Sequence, residues 1–273
     1  MGICLSIEEA IGLCGNIPVT EIGAALGITK YEAPIPACLA GELERIYGLW
    51  SKHDVEQFGI YSGEFDPSEE VVVTEKTHGS QVMYGLDEHG DFYVSSKGVL
   101  SRGMCLLESI NNTYWRAAIN CGIREIMERI AQVDRDLGIA FKTMQFFGEV
   151  IPVQGGNWTY GADPNKPTVR LFDFRVDGKS LPKAAVLEYA DRSSVRVNHL
   201  WVPEVASGLA SEILPRLPEL CKGNELVSGN SLHIREGIVV RPKFDRYASD
   251  GTRLMVKVIN PAYAKKETGE EVS

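Results

Sequence analysis

Short apolar runs recur along this chain, and each contains or adjoins charged or aromatic residues. The runs lie at residues 71–73, 146–150, 171–174, 236–241 and 254–258. Runs of this length predict buried strands. A strand that buries its aliphatic side chains can present a charged or aromatic residue at its end to a cleft. The pattern therefore predicts sheets that border a polar cleft.

Other segments predict helices and turns around these strands. Apolar positions recur at helical spacing in residues 113–137, which predicts one amphipathic helix packed on the sheet. The predicted helical stretches are residues 6–13, 19–26, 113–137 and 209–220, the last interrupted by Pro215 and Pro218. Residues 80–84 and 91–95 predict a hairpin.

Composition bounds the class of protein. With 273 residues, 44% of them hydrophobic, the chain can bury a sizeable core as one large domain, or as one domain with a small appendage. It has no run of eighteen apolar residues and no signal sequence at its start, which predicts a soluble, cytoplasmic protein. The six cysteines form no C-x-x-C pair, so buried reduced thiols are expected rather than zinc ligands.

The segment from Thr74 to Gln81 suggests specific chemistry, because it places Lys76 where a buried strand enters a tight turn at Gly79. A free lysine has a pKa near ~10.4, so about one in a few thousand is unprotonated at neutral pH. A lysine nucleophile therefore needs burial, a cation or a metal to lower its pKa by roughly three units, on the order of 4 kcal/mol. From this segment alone, a surface lysine after a strand is an equal alternative.

Five motifs follow one another in a recognisable order: K-x-H-G at Lys76, F-G-E at Glu149, F-D-x at Phe172, E-G-I-V-V-R at Glu236 and V-K-V at Lys257. This order resembles the covalent nucleotidyltransferase superfamily of ATP-dependent ligases and capping enzymes. The K-x-H-G motif is similar to that of RNA ligases related to the kinetoplastid editing ligases. Residues 30–37 and 112–116 resemble RNA ligases with an amino-terminal OB domain. The resemblance covers most of residues 25 to 265.

The resemblance implies an α+β fold: a nucleotidyltransferase (ATP-dependent ligase adenylation) domain with antiparallel sheets around an ATP cleft and flanking helices. It also implies an ATP-dependent RNA ligase. Lys76 would attack ATP, expel pyrophosphate and form lysyl-AMP. AMP would then pass to an RNA 5′-phosphate, and an RNA 3′-OH would displace it, most simply at a nicked duplex during RNA repair. Such phosphoryl transfer requires positioning and charge neutralisation, which fits Mg²⁺ or Mn²⁺.

The resemblance also implies roles for individual residues. Glu236 would be a catalytic carboxylate at the metal, and Lys257 a catalytic lysine that reaches the nucleotide phosphate. Glu149 would contact the ribose, and Phe172 would stack on adenine. The full nucleotide-binding set is Glu75, His78, Gln81, Lys97, Glu149, Phe172 and Lys257.

Two positions depart from the family pattern. Lys97 stands where the K-x-H-G branch has an arginine, and it lacks the planar fork for bidentate contacts; Arg102 is a candidate substitute. Ile259 stands where a second lysine often follows Lys257.

Each motif taken alone also has a simpler explanation. Phe172 can be a core residue, Glu149 and Glu236 solvated carboxylates, His78 a structural histidine and Lys257 an edge-strand lysine. Their joint order favours the functional interpretation.

Charge is unevenly distributed. The net charge is −9, and residues 1–75 alone hold thirteen acidic and three basic residues. In residues 231–260, six basic residues outnumber three acidic ones. This local excess suits phosphates and an RNA backbone, and it is also typical of a solvated surface. Because the chain as a whole is not basic, sustained tight RNA binding by this polypeptide alone is not expected.

The predicted organisation has three parts: residues 1–50 as the remnant of an amino-terminal domain and linker, 51–264 as the adenylyltransferase domain, and 265–273 as a disordered tail. The OB domain of the relatives is expected to be missing or reduced to its last strand around residues 3–5, either by truncation or in a short natural variant. A monomer without a membrane partner is predicted. The alternatives are a DNA ligase, an mRNA capping nucleotidyltransferase, or a non-catalytic nucleotide- or RNA-binding module with a ligase-like fold.

Overall fold

The computed structural model describes residues 8, 9, 12, 15, 21, 41–48, 50–152 and 158–268. The chain divides into two units, residues 1–40 and 41–273. The predicted helices at 6–13 and 19–26 lie largely outside the described residues, and residues 153–157 and 269–273 lie wholly outside them. The second unit contains two β-sheets and every predicted site residue.

The larger of the two sheets has seven strands. They are β1 (Leu43–Arg45), β4 (Ser80–Asp87), β5 (Phe92–Ser96), β6 (Met104–Leu106), β7 (Thr143–Ile151), β8 (Thr168–Val176) and β9 (Lys179–Ser180). Their spatial order is β1-β6-β5-β4-β7-β8-β9, with every neighbouring pair antiparallel. The predicted hairpin is confirmed as β4 and β5.

The smaller sheet has five strands in the order β10-β3-β11-β12-β2. They are β2 (Glu56–Gln57), β3 (Glu70–Lys76), β10 (Glu204–Leu209), β11 (Gly237–Pro242) and β12 (Val256–Ile259). Only β12 and β2 run parallel; the other pairs are antiparallel. Lys257 therefore lies on an inner strand, which excludes the edge-strand explanation for this lysine.

Within the described residues from 41 onward, eight α-helical segments lie outside the strands: α1 (Phe58–Tyr61), α2 (Lys97–Leu100), α3 (Thr113–Cys121), α4 (Ile123–Asp136), α5 (Lys183–Arg192), α6 (Ala210–Ile213), α7 (Leu217–Leu220) and α8 (Pro261–Thr268). Short 3-10 turns occupy Ser62–Glu64, Asn198–Leu200 and Leu214–Arg216. None of the described helices is long and apolar enough to cross a membrane.

The prediction of one helix over residues 113–137 is wrong at its centre. Gly122 adopts a left-handed conformation (φ 61°) that ends α3 and starts α4. Glycine tolerates this conformation at little steric cost, so it commonly ends a helix. At the start of α3, the side chain of Asn112 accepts hydrogen bonds from the N–H groups of Tyr114 and Trp115, as an N-cap does.

Two further predictions concern the helix at residues 209–220 and the tail at residues 265–273. The interrupted helix at residues 209–220 is confirmed as α6, a 3-10 turn and α7, with proline near the start of the second and third pieces. Helix α8 runs to Thr268, so it includes the first residues of the predicted tail.

Strand alternation separates core from cleft in the smaller sheet. Val71, Val73, Ile238 and Val240 belong to one buried apolar cluster. The alternate positions on the same strands, among them Lys76 and Arg241, line a cavity. Because successive side chains of a strand point to opposite faces, one face of this sheet builds the core and the other borders the cleft. The face of the larger sheet that points away from the cleft packs against α3 and α4.

Candidate active site

A cavity of about 170 Å³ is lined by residues of both sheets. All the predicted site residues except His78 and Glu236 line it: Glu75, Lys76, Gln81, Lys97, Glu149, Phe172 and Lys257. The sequence places these residues up to 182 positions apart (75 to 257). The fold therefore brings the motifs together around one cleft.

Lys76 lies at the end of β3 and pairs with Glu236. Its Nζ is 2.5 Å from Glu236 Oε1, and 26% of the lysine side chain is exposed. The pairing follows from the sheet register, because Gly237, the first residue of β11, lies opposite Lys76. Glu236 is itself buried, with 9% of its surface exposed. The amine thus faces the cleft and a carboxylate rather than bulk water.

His78 continues this row of polar groups. Its Nδ1 lies 3.8 Å from Glu236 Oε2 and 2.6 Å from the hydroxyl of Tyr263. Its backbone N–H donates to the hydroxyl of Tyr160 at 2.7 Å. His78 is therefore held beside the Lys76–Glu236 pair.

Glu149 reaches the cavity from β7, and Gly79 makes this possible. A Cβ at Gly79 would lie 2.5 Å from Glu149 Cγ and 2.6 Å from the carbonyl oxygen of Val150. Glycine is needed at position 79 because the backbone there lies too close to β7 to leave room for a side chain. Burial raises the pKa of Glu149 to about 8, opposed by Lys76 and reinforced by Glu236. A carboxyl group that is partly protonated near neutral pH can donate a hydrogen bond as well as accept one.

Glu75 is buried, with 1% of its surface exposed. Its Oε2 accepts a hydrogen bond of 2.6 Å from the N–H of Leu226. Burial raises the pKa of Glu75 to about 7, while the bond from Leu226 and the charge of Arg235 lower it. The Glu75 side chain therefore holds the segment at Leu226 against β3.

Gln81 and Lys97 each contact a residue of the segment that precedes β2. Gln81 donates its amide to the carbonyl oxygen of His53 at 2.9 Å. Lys97 pairs with Asp54 at 2.5 Å, and both side chains are more than half exposed. Arg102, the suggested substitute for Lys97, is exposed and is not among the residues that line the cavity.

His53 and Arg241 also line the cavity, and neither was assigned to the site from sequence. The His53 ring centroid is 4.7 Å from that of Phe172, and 2% of the residue surface is exposed. Arg241 is partly buried on β11, and burial lowers its pKa. Arg241 had a usable signal, since it ends the E-G-I-V-V-R motif and belongs to the basic excess of residues 231–260 that suits phosphates. His53 lies outside any strand, so no periodicity pointed to it.

An expected pH effect arises from His53. Burial lowers its pKa from 6.5 to about 3. As pH falls below 6.5, the unfolded chain binds a proton that folded His53 does not, so stability is lost on acidification. Between pH 6.5 and 5, proton uptake by His53 in the unfolded chain should lower the free energy of unfolding by about 2 kcal/mol.

Urea unfolding at both pH values measures this effect. The loss on acidification should be about 2 kcal/mol smaller in His53→Gln than in the wild type. His89→Gln, in the exposed turn between β4 and β5, should behave like the wild type. Equal acid losses in all three proteins would contradict a neutral, buried His53.

A buried ionic network lies beside the cavity. Asp173, next to Phe172 on β8, accepts hydrogen bonds from Arg253 at 2.8 and 3.0 Å and from Arg175 at 2.9 Å. Arg253 precedes β12 of the smaller sheet, whereas Asp173 belongs to the larger one. The network therefore links the two sheets next to the predicted adenine contact.

These features together define the class of protein: mainly antiparallel sheets enclose a cleft in which a strand-end lysine faces a glutamate. This is the adenylation-domain fold of covalent nucleotidyltransferases, as the order of motifs predicted. Comparison with solved structures supports the fold. Naegleria gruberi RNA ligase with PPi matches with a TM-score of 0.58 and 20% sequence identity, over 97% of this chain and 72% of that chain.

Two variants of the same Naegleria gruberi enzyme give similar results. The variant with ATP and Mn has a TM-score of 0.60 and 20% identity, over 96% of this chain and 72% of that one. The variant with AMP and Mn has a TM-score of 0.58 and 21% identity, over 96% and 71%. At such identities the likeness establishes the fold, and the predicted fold class is confirmed.

The family is established by sequence. A profile of the RNA ligase family matches residues 69–259. A search among curated protein sequences gave no match. Because the profile spans most of the chain, the protein belongs to the RNA ligase family, and the prediction of an RNA ligase is confirmed at this level.

Proposed function

We propose that this protein seals RNA through a covalent lysyl-AMP intermediate formed on Lys76. The observation that carries the proposal is the position of Lys76, whose amine faces Glu236 in a cleft lined by the other motif residues. The Lys76 amine attacks the α-phosphorus of ATP, a P–N bond forms, and pyrophosphate leaves with the electrons of the broken P–O bond. The Naegleria gruberi structures with ATP, AMP and PPi support a nucleotide reaction in this fold.

The cavity offers complementary groups for each part of ATP. Phe172 supplies an aromatic face for adenine, and Glu75 and Gln81 line the same cavity as Lys76. Glu149 is suited to a ribose hydroxyl because its carboxyl group can donate and accept. Lys257, Lys97 and Arg241 are the cationic groups in the cavity that are available to the phosphates, and His78 lies beside Glu236.

The residues present fit a hard divalent cation that is held largely by phosphate oxygens. Glu236 supplies a carboxylate beside Lys76. Among the described residues, no cluster of three or more His, Cys, Asp or Glu side chains is arranged to hold a metal by itself. Mg²⁺ and Mn²⁺ suit such a site, because they accept few carboxylates together with substrate oxygens. When bound, the ion would neutralise charge on the transferred phosphoryl group.

The second half of the reaction transfers AMP to an RNA 5′-phosphate. An RNA 3′-OH then attacks that phosphate, AMP leaves, and a phosphodiester forms. A nicked duplex is the proposed substrate, because it presents both ends side by side. A monomeric state and a cytoplasmic location stay predictions.

Covalent self-labelling tests the proposal. The protein is incubated with MgCl₂ or MnCl₂ and ATP or GTP labelled at the α-phosphate, then denatured and separated. ATP should label the chain at least tenfold more than GTP, since a site with fixed polar groups rejects a base that mispairs with them. Preferential labelling by GTP would indicate a capping enzyme, and no labelling by either would indicate a non-catalytic module.

Sealing assays distinguish the remaining alternative. A nicked RNA duplex and a DNA duplex of the same sequence are supplied with a 5′-phosphate at the nick. Faster sealing of the RNA nick is expected. Faster sealing of the DNA nick would make the protein a DNA ligase.

A further inference from the structure

Tyr263 lies in α8, beyond residues 69–259 that match the family profile. It is buried, with 3% of its surface exposed. Its hydroxyl is 2.6 Å from His78 Nδ1, a hydrogen bond that forms in either imidazole tautomer because a hydroxyl can donate or accept. A residue that follows the last recognised motif thus contacts the first one.

The backbone of His78 is already fixed without Tyr263. β3 ends at Lys76, and the N–H of His78 donates to Tyr160 at 2.7 Å. Tyr160 has a positive φ of 53°, which is uncommon for a residue other than glycine. Such a conformation persists when surrounding contacts determine it, and the Tyr160 ring also packs edge-on against His233 with centroids 4.5 Å apart.

The orientation of the His78 ring is a separate degree of freedom, and Tyr263 restrains it. The two ring centroids are 5.7 Å apart. The Trp158 ring packs against both rings, with its centroid 5.0 Å from that of Tyr263 and 6.2 Å from that of His78. The bonded nitrogen, Nδ1, is also the one that faces Glu236 Oε2 at 3.8 Å. The hydroxyl of Tyr263 therefore sets which edge of the imidazole faces the carboxylate that pairs with Lys76.

We propose that Tyr263 is a positioning residue for lysine adenylation, which acts by holding the His78 ring toward Glu236. This inference rests on the proposed function and deepens it, because it assigns part of the site to a helix outside the matched motifs. Removal of the hydroxyl should leave ATP binding nearly intact, since Tyr263 does not line the cavity. It should slow the covalent step, because a slight misplacement of reacting groups is costly.

The test compares Tyr263→Phe with Tyr93→Phe. The control also loses a hydroxyl-to-side-chain hydrogen bond, 3.1 Å to Asp87, in the hairpin of the larger sheet. Single-turnover labelling by ATP is measured across ATP concentrations. Tyr263→Phe should lower the maximal rate about tenfold, with the half-saturating ATP concentration unchanged within about twofold, a loss comparable to one hydrogen bond. Tyr93→Phe should match the wild type, and both variants should have similar melting temperatures.

A double-mutant cycle separates positioning from a general structural effect. If Tyr263 acts through His78, adding Tyr263→Phe to His78→Asn should reduce the maximal rate by less than about twofold. The ring ¹⁵N resonances of the five histidines give a second readout: those of His78 should shift in Tyr263→Phe and not in Tyr93→Phe. A wild-type labelling rate in Tyr263→Phe, or the same loss in both His78 backgrounds, would overturn the inference. A wild-type protein that fails to label would overturn the proposed function with it.

Discussion

Replacement of Lys76 with alanine is expected to abolish covalent labelling by ATP, with a loss of roughly three orders of magnitude or more. The amine of Lys76 is the atom that bonds to phosphorus in the proposed reaction, and no other lysine pairs with Glu236 among the described ion pairs. Removal of a nucleophile eliminates the covalent path rather than weakening one contact. Labelled protein is measured after denaturation, which removes nucleotide that is merely bound.

Two further variants make this result specific. Lys76→Arg keeps a positive charge opposite Glu236 but cannot supply an unprotonated nitrogen, so it should also fail to label. Lys243→Ala removes another lysine paired with a glutamate, Glu70 at 2.7 Å, at an exposed position just after β11. This control should label like the wild type. Labelled Lys76→Ala protein would place the nucleophile elsewhere, and loss of labelling in Lys243→Ala would indicate a nonspecific effect.

The strands around the cleft were predictable because each contains a short apolar run. Lys76, Glu149, Phe172 and Lys257 could be placed from such runs, since each interrupts or ends one. The break at Gly122 was missed because the apolar spacing of the two helices continues across it. β1, β2 and β9 are only two or three residues long, too short for a periodic pattern.

The rest of the site depends on contacts that no local pattern records. Tyr160 and Tyr263 both reach His78 from segments without strand periodicity. Their distance along the chain from His78, 82 and 185 residues, means that only the folded topology brings them together. Sequence motifs therefore indicated the proposed reacting groups, and the structure was needed for the residues that hold them.

The largest expected loss of stability arises at Asp173. The residue is 2% exposed and is bonded to the guanidinium groups of Arg253 and Arg175. Although burial alone raises the pKa of Asp173, the guanidinium groups of Arg253 and Arg175 hold it below its ordinary value. The carboxylate thus stays charged because it compensates buried cations.

Asp173→Asn, which keeps the shape of the side chain, should lower the free energy of unfolding by about 3–5 kcal/mol, because it leaves buried positive charge uncompensated. Urea unfolding at neutral pH measures this loss. The control is Glu188→Gln, which removes the charge of an exposed glutamate paired with Arg192 on α5 and should cost about 0–1 kcal/mol.

The same substitution should also weaken ATP binding, because Asp173 adjoins Phe172 and joins β8 to the segment that leads into β12 and Lys257. The half-saturating ATP concentration for self-labelling should rise in Asp173→Asn and stay unchanged in Glu188→Gln. If both variants lose less than 1 kcal/mol and bind ATP equally, water or a rearranged side chain must compensate the arginines. The two walls of the cleft would then be held together by their apolar contacts, and the ionic network would have no part in the nucleotide site.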